Sequence, residues 1–390
     1  MMKSATERQR FIITSLVSMV VLLLLSAPAF SQLNARRHIA IPDIPGYTTL
    51  KCDLHMHTVF SDGSVWPTIR VEEAWREGLD VIAIADHIEY LPKKADVSTD
   101  LNRSYQLAKS TADQLGIMLI HGTEITRGEP GGHHNAIFIT DATPLAVPDS
   151  VESLQIAADQ GAFIFWNHPG WKRPDGLGVW GSIQDKTYGM GLMHGVEVVN
   201  GRNYDPVAHG WCLEKKMTML CNSDVHNPIT FDYDILNDEH RPMTLVFVKN
   251  ATKKELKKAL FNRQTALFYS NKLVGEEKYL KPIFDASVDI LNPKLVMEGN
   301  RAVILQISNS SDIDFELVAD GQVEGISRPG SIKLPAHKTA RCTIRRTSPA
   351  SSGTKKLNLN YKVTNALVAP GEGLSVSLPV KVTFVPVENK

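Results

Sequence analysis

Apolar and polar positions follow two different rhythms along this chain. Between Leu50 and about Phe268, short β-rich apolar runs alternate with stretches of helical periodicity. The runs are Leu50–Met56, Val81–Ala85, Ile117–His121, Asn135–Ile139, Phe163–Trp166, Val196–Val199, Met217–Cys221 and Thr244–Val248. In one intervening stretch Pro67 suits a first helical turn, Val71, Ala74 and Trp75 share a face, and Gly78 ends the pattern. A second helix is predicted from Val151 to Gln160, and a third from a Thr252 cap to Asn262. Such alternation predicts an α/β fold with parallel strands. About seven units favour a barrel, with function at the carboxyl ends of its strands.

The rhythm changes after about Leu280. Turn signals at Asn292–Pro293, Glu298–Gly299–Asn300, Asp320–Gly321 and Pro370–Gly371 separate runs of period two. These runs are Ala302–Ile307, Phe315–Val318, Thr339–Ile344, Leu357–Val363 and Leu374–Val385. They predict a small all-β, sandwich-like domain. It has no His–carboxylate cluster and reads as an accessory module, with a glycan or a protein as its open choices of ligand.

The start of the chain has another character. Lys3, Arg8 and Arg10 precede the apolar stretch Phe11 to Leu25, and Ser26-Ala27-Pro28-Ala29-Phe30-Ser31 follows. That order is a secretory signal peptide, with cleavage after Ala29 or Ser31. An uncleaved anchor ranks second, because the run is shorter than the ~20 residues that span a bilayer comfortably. The expected organisation is therefore a signal peptide over 1–31, a barrel over 32–284 and an all-β domain over 285–390. Export to the periplasm or beyond follows, with no stable membrane span after cleavage.

Length and charge sharpen this little. The 390 residues suit two domains. Lys+Arg and Asp+Glu both number 42, so no nucleic-acid footprint is evident. Cys52, Cys212, Cys221 and Cys342 form no CxxC pair, which removes zinc ribbons and thioredoxin motifs. Export would permit a Cys212–Cys221 disulfide, and buried thiols are the other choice. No GxSxG, P-loop or dinucleotide fingerprint is present.

The chemistry lies at the ends of the apolar runs. Asp53, His55 and His57 alternate with Cys52, Leu54 and Met56, so a strand would aim the first three to one side. Ser61-Asp62-Gly63 follows directly. Later runs end in Asp86-His87, Gly122-Thr123-Glu124, Asn167-His168-Pro169 and Asp224-Val225-His226, and Gly132-His133-His134-Asn135 opens another. Imidazoles and carboxylates without thiolates suit Zn²⁺, Mn²⁺ or Fe²⁺. Two such ions ~3.5–4 Å apart can activate water and stabilise both the entering and leaving oxygens.

This ordered set resembles the motifs of polymerase-and-histidinol-phosphatase (PHP) metallohydrolases, from about Leu50 to Phe284. The sequences Gly132-His133-x-Asn135 and Arg263–Leu280 resemble a secreted, phosphodiesterase-like branch. A related branch hydrolyses carbamate esters. The resemblance implies a distorted (β/α)7 barrel and two or three divalent ions. His55, His57, Glu124 and Asp224 would hold one. Glu124 would bridge to a second, with His133 and His168. Asp62, His87 and His226 would hold a third. The Gly-His-x-Asn pattern favours His133 over His134, which becomes either an opposite-face neighbour or a substrate contact. The implied nucleophile is metal-bound hydroxide, with no protein nucleophile.

Other residues fit around that centre. Asp53 and Asp86 either orient metal-bound imidazoles or make ordinary strand-end hydrogen bonds. Glu197, inside an apolar strand, must be paired or ligating, and a buried Glu–Arg pair is its competing explanation. Lys172, Arg173 and Arg127 lie in loops on the expected active face and are candidates for binding phosphate. Trp171 and Trp180 either wall a pocket or cover the barrel rim. The leading expectation is an exported hydrolase of small phosphate esters. Hydrolysis of carbamates or carboxylic esters on the same ions is the second reading. A non-catalytic, metal-stabilised surface protein is the third.

Overall fold

The computed structural model describes residues 36–128, 131–237, 239–347 and 351–385. The expected signal peptide lies outside the described residues. No described helix is long and apolar enough to cross a membrane.

The first domain is built on β1 (Thr48–Met56), β2 (Val81–Ile84), β3 (Met118–Thr126), β4 (His133–Ile137), β5 (Phe163–Trp166), β6 (Gly195–Asn200), β7 (Asn203–Tyr204), β8 (Thr218–Asn222), β9 (Met243–Val248), β10 (Thr265–Tyr269) and β11 (Lys272–Gly275). The predicted helices appear at Pro67–Arg76, Ser150–Asp159 and Lys253–Phe261, and Thr252 caps the last through the Glu255 N–H. β1, β2 and β3 are parallel, as are β5, β6 and β8. Their side chains, Leu54, Val81, Phe163, Phe165 and Leu220 among them, form a buried core. Burying each large one stabilises by roughly 1.5–3 kcal/mol.

Three departures from uniform alternation matter for the site. β4 runs antiparallel to both β3 and β5. The link between β3 and β4 covers only positions 127–132, whereas a parallel crossover needs a dozen residues or more. The start of β4 therefore lies beside the carboxyl ends of its neighbours. β8 and β1 meet through a single Met56–Val225 bridge and side-chain bonds rather than a ladder. The Leu54 N–H donates to Asn222 Oδ1 at 2.8 Å across that seam. An irregularity in β1 between Asp53 and Met56 also breaks strict alternation. Both side chains reach Arg241 Nη1, at 3.0 and 3.1 Å, instead of pointing apart.

The all-β domain contains β12 (Val288–Ile290), β13 (Lys294–Glu298), β14 (Val303–Asn309), β15 (Phe315–Ala319), β16 (Ile326–Ser327), β17 (Ser331–Leu334), β18 (Thr339–Arg346), β19 (Gly353–Ala369) and β20 (Glu372–Val385). β12-β14-β18-β16 form one sheet, and β13-β20-β19-β15-β17 the other. Along β20 buried and exposed positions alternate, as one buried face requires. β19 also pairs with β11 of the first domain, at Leu273–Ala366 and Val274–Leu367. The helix Glu277–Ser287 runs through the 284/285 division expected from sequence, and its Phe284 packs on Phe315 at 5.1 Å. The two domains thus share a sheet and a core. All four cysteines are buried and free, so Cys212 and Cys221 do not pair.

Candidate metal centre

His55, in β1, and His57, just after it, are fully buried. The loop that follows doubles back so tightly that a Cβ on Gly63 would lie 2.7 Å from the His57 carbonyl carbon. This brings Asp62 to the imidazoles. Glu124 arrives on β3 and His133 at the start of β4. His168 and Asp224 follow β5 and β8, with φ of +30° and +53°. Non-glycine residues at positive φ are uncommon and mark backbone held in place by its surroundings.

The donors form four overlapping groups: His55–His57–Glu124, His55–His168–Asp224, Glu124–His133–His168 and His57–Asp62–His87–His226. His55 Nε2 and His57 Nε2 are 3.1 Å apart. Each lies 3.2 Å from Glu124 Oε2, and they are 3.2 and 3.0 Å from Asp224 Oδ1. Ligands bound at ~2.0–2.1 Å stand about 2.9–3.4 Å from one another, so the inner group of His55, His57 and Glu124 has the spacing of ligands to one ion, while Asp224 groups with His55 and His168. The other Glu124 oxygen, Oε1, is 2.7 Å from His133 Nδ1 and 3.8 Å from His168 Nε2. Asp62 Oδ1 lies 3.2 Å from His226 Nε2, 3.5 Å from His87 Nε2 and 3.8 Å from His57 Nδ1. Glu124 Oε1, His133 Nδ1 and Asp224 Oδ1 are buried and make no well-aligned hydrogen bond, although Glu124 Oε1 and His133 Nδ1 stand 2.7 Å apart and Asp224 Oδ1 is 3.0 Å from His57 Nε2. Each such atom costs about 1–3 kcal/mol unless something else satisfies it. A divalent ion would.

Electrostatics point the same way. Burial works to lower the His55 pKa, but Asp224, Glu197 and Glu124 outweigh it and hold it well above its ordinary value. His57 is raised to about 9 against the same burial, by Asp224 and Glu124. Burial tends to raise Glu124 and Asp224, yet the facing imidazoles, led by His55, hold both low. The carboxylates demand positive charge, which protons or metal ions can supply.

Hydrogen bonds set which ring nitrogens face the centre. His55 Nδ1 donates to Glu197 Oε1 at 2.8 Å, which leaves Nε2 free for a metal. His226 Nδ1 donates to the Asp224 carbonyl at 2.7 Å, and His87 Nδ1 lies 2.6 Å from Thr126 Oγ1. The Nε2 atoms of both face Asp62. Above the donors opens a cavity of about 540 Å³, lined in part by Tyr90, Trp171 and Lys172.

The Ig-like domain family DUF5001 matches residues 288–379. A crystal structure from Bacteroides vulgatus, of a two-domain protein containing a predicted PHP-like metal-dependent phosphoesterase, is 43% identical. Its TM-score is 0.83, and the match covers 89% of this chain and 99% of that one. The chain belongs to the PHP-like metallohydrolases. The 5'-3' exoribonuclease of Haemophilus influenzae is 37% identical over 87 residues, which is 22% of this chain. The match spans 27% of that curated relative's length.

In this PHP-like chain, the other residues singled out from sequence divide sharply. Among the described residues Glu197 has no arginine partner. Its Oε1 accepts from His55 and from Asn222 Nδ2 (2.9 Å), and its Oε2 accepts from the His168 N–H and Asn200 Nδ2, both at 3.0 Å. Asp53 and Asp86 make no direct hydrogen bond to an imidazole ring, and Asp86 reaches one only through Ser61, whose Oγ is 3.4 Å from His57 Nδ1. Asp53 accepts from the Ser223 N–H and hydroxyl and from Arg241, beside Asp224 in the chain. Asp86 accepts from the Thr58 N–H and hydroxyl (2.7 Å each) and from Ser61 Oγ (2.8 Å). Both fix loops that carry donors.

His134 is buried, does not line the cavity, and is pushed to about 3 by burial. As the next residue along the strand from His133 it faces the other side, so it is no substrate contact. The terminal nitrogens of Arg127 are taken by Glu89 and by the carbonyls of Thr126 and Val147. Arg173 pairs with Asp175 at 3.6 Å and lies outside this cavity. Lys172 lines the cavity with its Nζ 4.0 Å over the Trp171 ring. Trp171 lines the cavity, whereas Trp180 packs on Trp211 at 5.3 Å.

Sequence reading missed Arg70. Its guanidinium is buried in the helix Pro67–Arg76 and donates to the carbonyls of His57 (2.9 Å), Asn227 (2.7 Å) and Val225 (3.2 Å). It ties together two loops that carry donors. An arginine in a helix looks like a surface residue, and nothing local signals otherwise.

Proposed function

We propose that this protein is an exported phosphoesterase that works with two or three divalent ions of the zinc, manganese or iron type and acts on small phosphate esters. The observation that carries the reading is the Glu124 carboxylate, whose two oxygens face two different donor groups, Oε2 toward His55 and His57 and Oε1 toward His133 and His168. His55, His57, Glu124 and Asp224 would hold one ion, Glu124, His133 and His168 a second, and Asp62, His87 and His226 a third. Bound there, such ions lower the pKa of water and stabilise charge on phosphoryl oxygens.

The protein's own part is orientation and exclusion. Glu197 holds the His55 ring with Nε2 toward the centre, and through the His168 N–H it fixes a second donor loop. Asn200 Nδ2, 3.2 Å from Asp224 Oδ2, braces that carboxylate. Lys172 supplies a positive charge at the cavity mouth, where an anionic substrate enters. Export rests on the basic and apolar order of residues 1–31, and amino-terminal sequencing of protein recovered from the periplasm tests it.

The enzymatic reading is tested with metal-loaded protein from about residue 32 onward, assayed on an aryl phosphodiester, a phosphomonoester and an aryl carbamate. Turnover of a phosphate ester supports it. A preference for the carbamate by orders of magnitude sinks it. No turnover of any of them, at full metal content, leaves a metal-stabilised surface protein instead.

A further inference from the structure

The cavity over the centre has an uneven lining. Its floor is imidazole and carboxylate, and its mouth carries two large aromatic rings that stay half in water. Tyr90 is 53% exposed and Trp171 is 50% exposed. Trp171 sits on a closely bonded loop. Its N–H donates to the His168 carbonyl at 2.9 Å, that of Arg173 to Gly170 at 3.1 Å, and that of Gly176 to Arg173 at 3.0 Å. A Cβ on Gly170 would lie only 2.0 Å from the Gly176 carbonyl oxygen, so this turn accepts glycine alone. The Trp171 indole packs against His133 and His168, at 4.8 and 5.4 Å between centroids. The Tyr90 ring meets His87 edge-on at 6.1 Å. One aromatic thus stands beside the Glu124–His133–His168 group and the other beside the Asp62 group.

Several polar side chains of the same lining are already committed. Thr126 Oγ1 is bonded to His87, the Asn167 side chain to Asn135, and the terminal nitrogens of Arg127 to Glu89 and two carbonyls. A polyol or sugar entering this mouth would lose water and find few free donors or acceptors. A planar ring would find two half-exposed aromatic rings, and Lys172 Nζ, now 4.0 Å over one face of Trp171, would have to swing off that face to meet the phosphate.

We propose that Tyr90 and Trp171 are the specificity walls of this site, and that the organic part of the substrate carries a planar unsaturated ring. This rests on the phosphoesterase reading above. A nucleobase and a simple aryl group share the required chemistry, and the experiment separates them.

Two matched pairs serve as probes. A nucleoside 5'-phosphate and ribose 5-phosphate share a leaving alkoxide and differ in the base. Phenyl and cyclohexyl phosphate differ in planarity. Phenol leaves more readily than cyclohexanol, so in that pair the decisive quantity is the change in ratio on substitution. The variants are Trp171→Leu and Tyr90→Leu, which keep apolar bulk without the ring, and Trp171→Phe, which restores a π face.

A preference for the ring-bearing member of roughly tenfold in kcat/KM is expected, carried by KM. It should collapse in the leucine variants and return in Trp171→Phe, with metal content unchanged. Calorimetric binding of phenylphosphonate against cyclohexylphosphonate to the metal-loaded protein reads the same preference without turnover. Discrimination in the nucleoside pair assigns a base, and discrimination confined to the phenyl pair and the phosphonates assigns an aryl group. Turnover of all four esters with ratios unmoved by the leucine variants, or equal binding of the two phosphonates, overturns the inference and leaves the phosphoesterase reading standing. No ester turned over at full metal content defeats that underlying reading instead.

Discussion

The inner and outer donor groups use the same residue types, yet they are held differently. In the inner group His55 and Glu124 lie on β1 and β3, are buried, and meet His57 and each other at 3.1–3.2 Å, while Asp224 beside them follows β8 with its side chain 19% exposed. In the outer group Asp62 and His226 stand on loops, their side chains are 25% and 35% exposed, and the separations spread from 3.2 to 3.8 Å. Sites on strands are more precise than sites on loops. On the proposed reading the inner group would keep its ion and the outer group would exchange one more readily.

The largest expected effect comes from breaking the inner group at its shared member. Glu124→Gln removes the charge that serves two groups while keeping the shape. Hydrolysis should fall by roughly a thousandfold or more, matching the several kcal/mol that such ions supply. Elemental analysis should show at least one ion lost per chain, with circular dichroism unchanged. Near-normal rates would place the chemistry elsewhere. His55→Ala and Asp224→Asn should behave alike.

His226→Ala asks whether the outer group is separable. It should cost less activity than the inner substitutions and release one ion, leaving the Glu124-held ions in place. Rates restored by excess metal would sharpen the contrast. Loss of every ion would erase it, since the three groups would then bind as a unit.

Glu197→Gln tests the support beneath the inner group. Losing the carboxylate partner of a ligating imidazole typically costs ~10–100-fold in metal affinity or activity. A loss of that order is expected, with weaker metal retention on dialysis. A variant indistinguishable from wild type in both would make the Glu197–His55 bond a matter of packing alone.

Much of the centre was legible because its donors end apolar runs, a local signal. His55 and His57 show as a period-two pair, Asp62 beside the turn glycine, and Asp224 and His226 as a second pair. What stayed hidden depends on partners far along the chain. Asp53 meets Ser223 and Arg241, and Asp86 meets Thr58 and Ser61, contacts that no spacing encodes. The direction of β4 was legible only through the shortness of its link. The helix Arg103–Leu115 escaped because its buried residues are Ser104, Ala108 and Ala112, too small to draw an apolar stripe. The joining of the domains through β11 and β19 is likewise a distant pairing, invisible to alternation within either strand.

The smallest expected effect sharpens the contrast between histidines at the centre and those elsewhere. Where His57 is raised by carboxylates, burial lowers His121 and His209 from the ordinary 6.5 to about 4. His121 stacks on Tyr105 at 4.3 Å, and His209 Nδ1 lies 2.8 Å from the Tyr204 hydroxyl. Both have a buried Nε2 with no partner. The folded chain therefore refuses a proton that the unfolded chain accepts below pH 6.5. Their contribution is whole above that pH and is lost as pH falls toward 4, approaching about 1.4 kcal/mol per unit for each histidine. Donor histidines and carboxylates titrate too, so the test is a difference in slope. Urea unfolding of wild type and of a His121→Gln, His209→Gln variant between pH 7 and 4.5 should give a shallower fall in the variant, whatever its stability at neutral pH. Parallel curves would mean that these two rings take up protons within the fold, and that burial alone does not keep them neutral.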